Sequence, residues 1–323
     1  DINRSPTENY ILMTDLDFKN NPSFSRITAV YRGKLDGNNH IIKNINLSAP
    51  YVINQIRNEL KNITFENCKL SSSNVQGIVF YSYGKMENVR ANNVELKITS
   101  NVTTPNIGGL LGVAINGASL KNCSISDVSI KIDTYSTTTR AGGLIGVANR
   151  VEISNCFAQD VNINIKNNTY EGVGGLIGAV EVSSTISNCY ATGNINTDGG
   201  KVGGLVALIN AGIIENSYSY INISGEGSNI GGLIGYAGSS ISLTNSIALG
   251  DLYTSAATYE INRISPSLGT LNNNYAYINQ RINGKDENET SKNVSLLSVE
   301  ELLNKNTYLE KLKWNNIYNY DGI

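Results

Sequence analysis

The middle of the chain alternates apolar positions with small or polar ones. Segments such as LIGVANRVEISNCFA, LIGAVEVSSTISNCYA, LVALINAGIIENSYS and LIGYAGSSISLTNSIA are rich in Ile, Val and Ser and carry no long stripe of helical period. That pattern predicts β-strands. The strands recur at a fixed phase. A Gly-Gly-Leu phrase begins at Gly108, Gly142, Gly174, Gly203 and Gly231, at intervals of 34, 32, 29 and 28 residues. Such a period is the size of one supersecondary unit, and five copies let neighbouring units bury each other's apolar faces. The expected fold is all-β, a parallel right-handed β-helix with rungs about 4.8 Å apart. The paired glycines mark places where the backbone bends or approaches its neighbour closely.

A second column runs in phase with the first: Asn122, Asn155, Asn188, Asn216 and Asn245, each followed by Cys or Ser. The step from Gly-Gly-Leu to this Asn is 13 or 14 residues throughout, whereas the step onward to the next Gly-Gly-Leu falls from 20 to 15. The constant half of the repeat is expected to be paired scaffold and the variable half a surface loop. The Asn column reads as an inward-facing amide ladder of structural character. Of the four cysteines, Cys123, Cys156 and Cys189 share one repeat position and Cys68 also follows an Asn. Side chains stacked in a column have parallel directions, which suits neither a disulfide nor a tetrahedral zinc site, so buried free thiols are expected.

The ends differ from the middle. Residues 1–50 contain two strand-like runs around the turn Asp36-Gly37-Asn38-Asn39 and are expected to cap the raw strand edges at the N-terminal end. The β-helix is expected over residues 51–285. Residues 286–323 read as a helical closure or a linker to a following domain. Ser298 with Glu301 three positions on, and leucines at helical spacing, predict a helix near 298–312. Only 16% of residues are charged and the formal net charge is −2, so there is no basic face for nucleic acid. No apolar run reaches the length of a membrane span. The chain begins at Asp1 with no signal-like segment, and it reads as an excised fragment or processed product.

The string YILMTDLDF, the following YxGxLDGNNHxIKNINL and the GGLIG repeats with SNCYA-type segments together resemble a known family. It is the GLUG-repeat β-helix region of Gram-positive zinc metalloproteases, among them the IgA-specific proteases and their cell-wall-attached relatives. The closing SLLSVEELLNKNTYLEKLKW resembles the segment after the repeats in that family. The resemblance implies a secreted or cell-surface parent enzyme with zinc, a host glycoprotein such as immunoglobulin A as partner, and a catalytic domain in the same polypeptide. Its HExxH zinc motif needs two histidines one helical turn apart. This chain has a single one, His40, inside the cap turn. No catalytic residue carries over. This region is expected to be noncatalytic and free of cofactor, with His40 a cap side chain and Asp15 and Asp17 surface or turn-bonding groups.

Two other readings remain open: a free-standing bacterial surface adhesin or spacer, and a polysaccharide-binding or polysaccharide-cleaving β-helix. The second needs carboxylates gathered on one face. Asp127 and Asp160 each lie five residues past the ladder Asn and are expected on adjacent rungs. They are the candidates for a weak calcium site or, more simply, a solvated pair. Within the variable loops Tyr135, Arg140 and Tyr170 are the candidates for contact with a substrate or partner, because exposed Tyr and Arg dominate interface hot spots.

Overall fold

The computed structural model describes residues 2–19, 24–100, 105–132, 138–166, 172–267, 270–283 and 294–314. The fold is the expected parallel β-solenoid, about 9 turns long and only 4% helical. All strand pairs among the described residues are parallel and join each coil to the next. Inward columns stay in register over several coils, as in Leu111, Ile145, Ile177, Val206 and Ile234. Leu120, Ile153, Ile186, Ile214 and Leu243 form a second such column, and each of these residues is fully buried.

One coil shows how the sequence makes the turn. Arg140–Gly142 joins a small six-stranded sheet, the chain bends at Gly143-Leu144, and Ile145–Asn149 and Glu152–Ser154 join the main sheet. A corner at Asn155 then leads into Phe157–Ile165. The glycines answer to lack of space. A Cβ on Gly109 would stand 2.3 Å from the carbonyl oxygen of Gly143, and one on Gly143 would stand 2.2 Å from that of Gly175. The third glycine of the phrase lets the small sheet press on the main one, since a Cβ on Gly146 would meet the Ile107 nitrogen at 2.7 Å. Only a bare backbone fits there.

The strands of the first fifty residues pair in register with those that follow. Tyr10–Ile11 pairs with Lys34–Asp36, which pairs in turn with Glu59–Ser72, while Ile27–Tyr31 pairs with Tyr51–Ile56. The far end is finished differently. Where Gly232 stands in one coil, the next places Arg263, only 3% exposed, whose guanidinium donates to the carbonyl oxygens of Tyr277 at 3.0 Å and Gln280 at 3.3 Å.

The C-terminal helix is shorter than the leucine spacing predicts. It runs over Val299–Leu302 with a complete capping box between Ser298 and Glu301. After it Asn304 accepts from the backbone of Asn306, and a separate π-helical turn covers Thr307–Lys311. A side chain that bonds its own backbone two residues on favours a turn over continued helix. Both pieces lie on the flank of the solenoid, where Leu302, Tyr308 and Leu312 pack with Ile247, Leu249 and Leu297 in a cluster separate from the main core.

Gly143→Ala is expected to lower stability by about 3 kcal/mol or more, because the new methyl meets backbone that cannot yield. Gly117 has open space around it but a φ of +87°, so Gly117→Ala is expected to cost only about 1–2 kcal/mol. Chemical denaturation of the two variants checks the contrast, and equal losses would show that the close approach is not the constraint.

Candidate functional site

The Asn column forms one edge of the solenoid. Asn122, Asn155, Asn188, Asn216 and Asn245 all hold φ between +51° and +54°, the left-handed region that Asn tolerates better than other residues with a Cβ. Asn155 and Asn188 are exposed and the others half-buried, so the column faces outward and not, as expected from the sequence, inward. A left-handed residue at an outer corner throws its side chain off the core, and the next residue turns in. Nδ2 of Asn155 donates to Oδ1 of Asn122 at 3.3 Å, Asn122 to Asn88 at 3.2 Å and Asn88 to Asn62 at 2.9 Å. Farther along, Asn273 donates to Asn245 and Asn245 to Asn216. Each of these amides donates toward the N-terminal end.

A donor chain of one direction needs an acceptor at its head. Asp36 provides it, taking the Asn62 amide at 3.1 Å. A second ladder, not evident from the repeats, has the same design: Asn93 donates to Asn67, Asn67 to Asn44, and Asn44 to Asp17 at 2.7 Å. An ionised carboxylate only accepts, which suits the head of each ladder. The Asn44 amide and the Lys19 N–H hold Asp17 below the usual carboxylate range. Burial opposes ionisation of Asp36, but the Asn38 N–H, the Asn62 amide and Lys61 outweigh it and leave its pKa lowered. Asp15, likewise lowered, accepts from the Ile41 N–H and lies 3.0 Å from His40 Nδ1.

Asp127 and Asp160 continue the corner of the second ladder, in register with Asn93. Both are exposed with φ of +53° and +52°. Neither can donate to the residue before it, so the amide chain stops at Asn93. Among the described residues no three His, Cys, Asp or Glu side chains gather as metal ligands. Arg140 is not the exposed contact residue expected from the sequence. It starts a strand of the small sheet, its side chain is 22% exposed, and its guanidinium meets Glu181 at 2.7 Å and Asn106 at 3.5 Å. It braces two coils. Tyr135 and Tyr170 lie outside the described residues.

The inward partner of the Asn corner is the Cys or Ser after it. The Cys123 N–H donates to Cys156 Sγ at 3.4 Å, Cys189 N–H to Ser217 Oγ at 3.1 Å, and Ser217 N–H to Ser246 Oγ at 3.3 Å. The same groups donate back to the carbonyl two residues earlier, as Ser217 does to Glu215 at 2.8 Å and Cys189 to Ser187 at 3.1 Å. Asn274 ends the column by accepting from Ser246 N–H. The four thiols are free and buried. Burial pushes Cys68 up to about 12 and raises Cys156 well above the ordinary thiol value.

On the outer flank Phe157, Tyr190 and Tyr218 stack in one column. Their centroids are 4.7 and 4.8 Å apart and their planes within 3° and 5° of parallel. Trp314 continues the stack from the C-terminal segment, 6.5 Å from Tyr218. This stripe was legible as the aromatic two residues past the ladder Asn.

Cys156→Ser is expected to keep stability within about 1 kcal/mol, since Ser makes the same pair of bonds in the later coils. Cys156→Val strands the Cys123 N–H and should cost about 1–3 kcal/mol. Denaturation midpoints check this, and thiol-reagent labelling should be slow until the chain unfolds. For acid stability, a carboxylate whose folded pKa is depressed stabilises above its unfolded value near 3.8 and loses that contribution as pH falls through the folded pKa. Asp36→Asn keeps an acceptor without the charge, so its stability should fall less steeply with pH below about 4 than the parent's. Parallel acid titrations by circular dichroism would show it, and identical profiles would remove Asp36 from the account.

The GLUG motif matches residues 169–196, which is one coil of the solenoid. No curated protein matches the sequence. Among solved structures, the chain is similar to a protein described as a "putative immunoglobulin A1 protease" from Bacteroides ovatus. The TM-score is 0.54 and the identity 21%, with 94% of this chain and 80% of that one covered. It is also similar to a structure of an IgA1 protease, with a TM-score of 0.51 and 21% identity. That match covers 88% of this chain but spans only 21% of the other. At this identity the likeness is one of fold: the chain is a GLUG-containing β-solenoid of the shape found in IgA1 protease-like structures.

Proposed function

We propose that this chain is a noncatalytic β-helical region of a larger immunoglobulin A protease-like protein. There it positions a large host glycoprotein, such as immunoglobulin A, or gates the catalytic domain. The observation that supports the reading is likeness over nearly the whole chain to two such structures, one of which extends far beyond the matched part. On this reading the parent is a zinc endopeptidase, secreted or held at the cell wall, and its metal is bound elsewhere in the polypeptide. The residues here do not fit a zinc site of the HExxH kind: the one histidine, His40, is engaged with Asp15 and the thiols point into a packed column.

A rod suits this role because a second contact on a large substrate raises its local concentration at the cleft without altering the chemistry. The variable segments of the repeat follow the strands Ser124–Ile132 and Phe157–Ile165, and this reading assigns the substrate contacts to them. Arg140 is best left intact in a test, as its ion pair is structural. Tyr135→Ala with Tyr170→Ala in the full enzyme is expected to raise KM for intact immunoglobulin A about 5–10-fold while sparing kcat on a short hinge peptide. Unchanged steady-state kinetics on both substrates would reduce the rod to a spacer.

A further inference from the structure

One arginine near the N-terminal end is held in place by groups that carry no charge. Arg57 is exposed at the corner after Tyr51–Ile56, and its guanidinium carbon lies 3.8 Å from the centre of the Tyr83 ring on the next coil. Close to it in the chain stands Gln55, only 9% exposed. With its amide turned toward the guanidinium, Gln55 accepts from Arg57 Nε at 2.9 Å and from Nη2 at 3.1 Å. Gln55 is a polar break in its column, which runs from Val30 through Gln55 to Tyr81, Val113 and Val147. A buried amide is costly unless it is bonded, and this one is spent on orienting a cation.

The charge so oriented has no counterion. Among the described residues neither Arg57 nor Arg32, its neighbour one coil earlier, lies within ion-pair distance of a carboxylate. Register sets the two side by side: Tyr31 pairs with Ile56, and the Arg57 N–H donates to the Tyr31 carbonyl. Their rungs are about 4.8 Å apart. The nearby acid, Glu59, is engaged by Lys34 at 4.0 Å and Lys61 at 3.8 Å. Like charges on adjacent strands repel, and a fixed guanidinium with open N–H groups is the geometry that takes a carboxylate by paired bonds. Beside it Tyr83, Tyr81, Phe80 and Tyr51 form a row of half-buried rings, with centroids 6.3, 4.0 and 5.7 Å apart.

We propose that Arg57, with Arg32 and the adjacent aromatic row, binds the carboxylate of an acidic sugar on a glycan. The guanidinium takes the carboxylate, the rings take the apolar face of the sugar, and the tyrosine hydroxyls and the exposed Asn58 amide meet its hydroxyls. The local charge is complementary to such a ligand: Arg32, Lys34, Arg57 and Lys85 stand in the two neighbouring columns of this corner with Glu59 as their one acid. An acidic peptide fits less well. A peptide of that kind draws its affinity from a free strand edge or an apolar groove, and Tyr51–Ile56 is already paired on both sides. The inference rests on the reading above only in taking the sugar from a host glycoprotein.

The test is calorimetric titration of the natural full-length protein with sialyllactose, with lactose and with an oligoglutamate peptide. Sialyllactose is expected to bind, less tightly as salt is added, and lactose is not. Arg57→Gln should weaken the binding about tenfold or more. Gln55→Leu keeps the charge but frees the guanidinium, and should weaken it about threefold. Arg90→Gln, exposed on the strand that pairs through Thr64, should leave it unchanged. Arg57 is a surface residue, so its variant decides the matter even if Gln55→Leu does not fold. No binding of sialyllactose, equal affinity for lactose, tighter binding of oligoglutamate, or full affinity in Arg57→Gln would each overturn the site. None of these outcomes bears on the KM test of the loop tyrosines, so the site and the proposed role fail separately.

Discussion

Each coil must turn a corner without leaving a backbone N–H buried and unpaired, and the rest of the structure depends on how that is done. An Asn in the left-handed region makes the bend, and it interrupts the regular ladder where it does so. The inward Cys or Ser that follows restores the lost bond: its sulfur or oxygen accepts the N–H of the preceding coil and its hydrogen returns to a carbonyl two residues back. Outside, the Asn amide bonds the amide one rung away. The corner is satisfied on both sides of the wall, which a left-handed glycine, with no side chain, would not achieve. An unmet buried donor costs about 1–3 kcal/mol, and with one corner per coil the sum would rival the stability of the whole domain.

Repetition creates a second requirement, at the ends. Amide ladders have direction, so each needs an acceptor at its head, and Asp17 and Asp36 fill that place with lowered pKa values. At the other end the repeat is broken by residues that could not belong inside it. Arg263 takes a glycine position and spends its guanidinium on main-chain carbonyls, Asn274 closes the Cys/Ser column, and Tyr275 donates to Asn273. The acids and cations that look like candidate chemistry in isolation are largely occupied in this way. Arg140 with Glu181 and His40 with Asp15 belong to the same class of bracing contact.

What remains outside the repeat logic is the flank. The stacked rings of Phe157, Tyr190 and Tyr218 stand on the outer side of the wall, and among the described residues Trp314 meets their column at Tyr218. A solenoid offers long, straight, evenly spaced surfaces at little cost to its core, since outward positions are free of the packing that fixes inward ones. Outward columns and the segments after each long strand can therefore vary without disturbing the core.

The sequence by itself determined the solenoid, its period, the two Gly positions, the Asn corner and the burial of the thiols. All of these are local rules applied once per coil, so repetition makes them legible as columns. Tertiary structure decided the rest. Whether the Asn amides point in or out depends on the sign of φ at the corner. The partner of Arg140 stands forty-one positions away at Glu181, on a neighbouring coil. The second ladder passes through Asn44, Asn67 and Asn93, whose alignment is visible only once the irregular early coils are placed in register. The short closing helix was written in a capping box, but its place on the flank was not, because an apolar stripe specifies that a surface is covered and leaves the choice of surface to the folded chain.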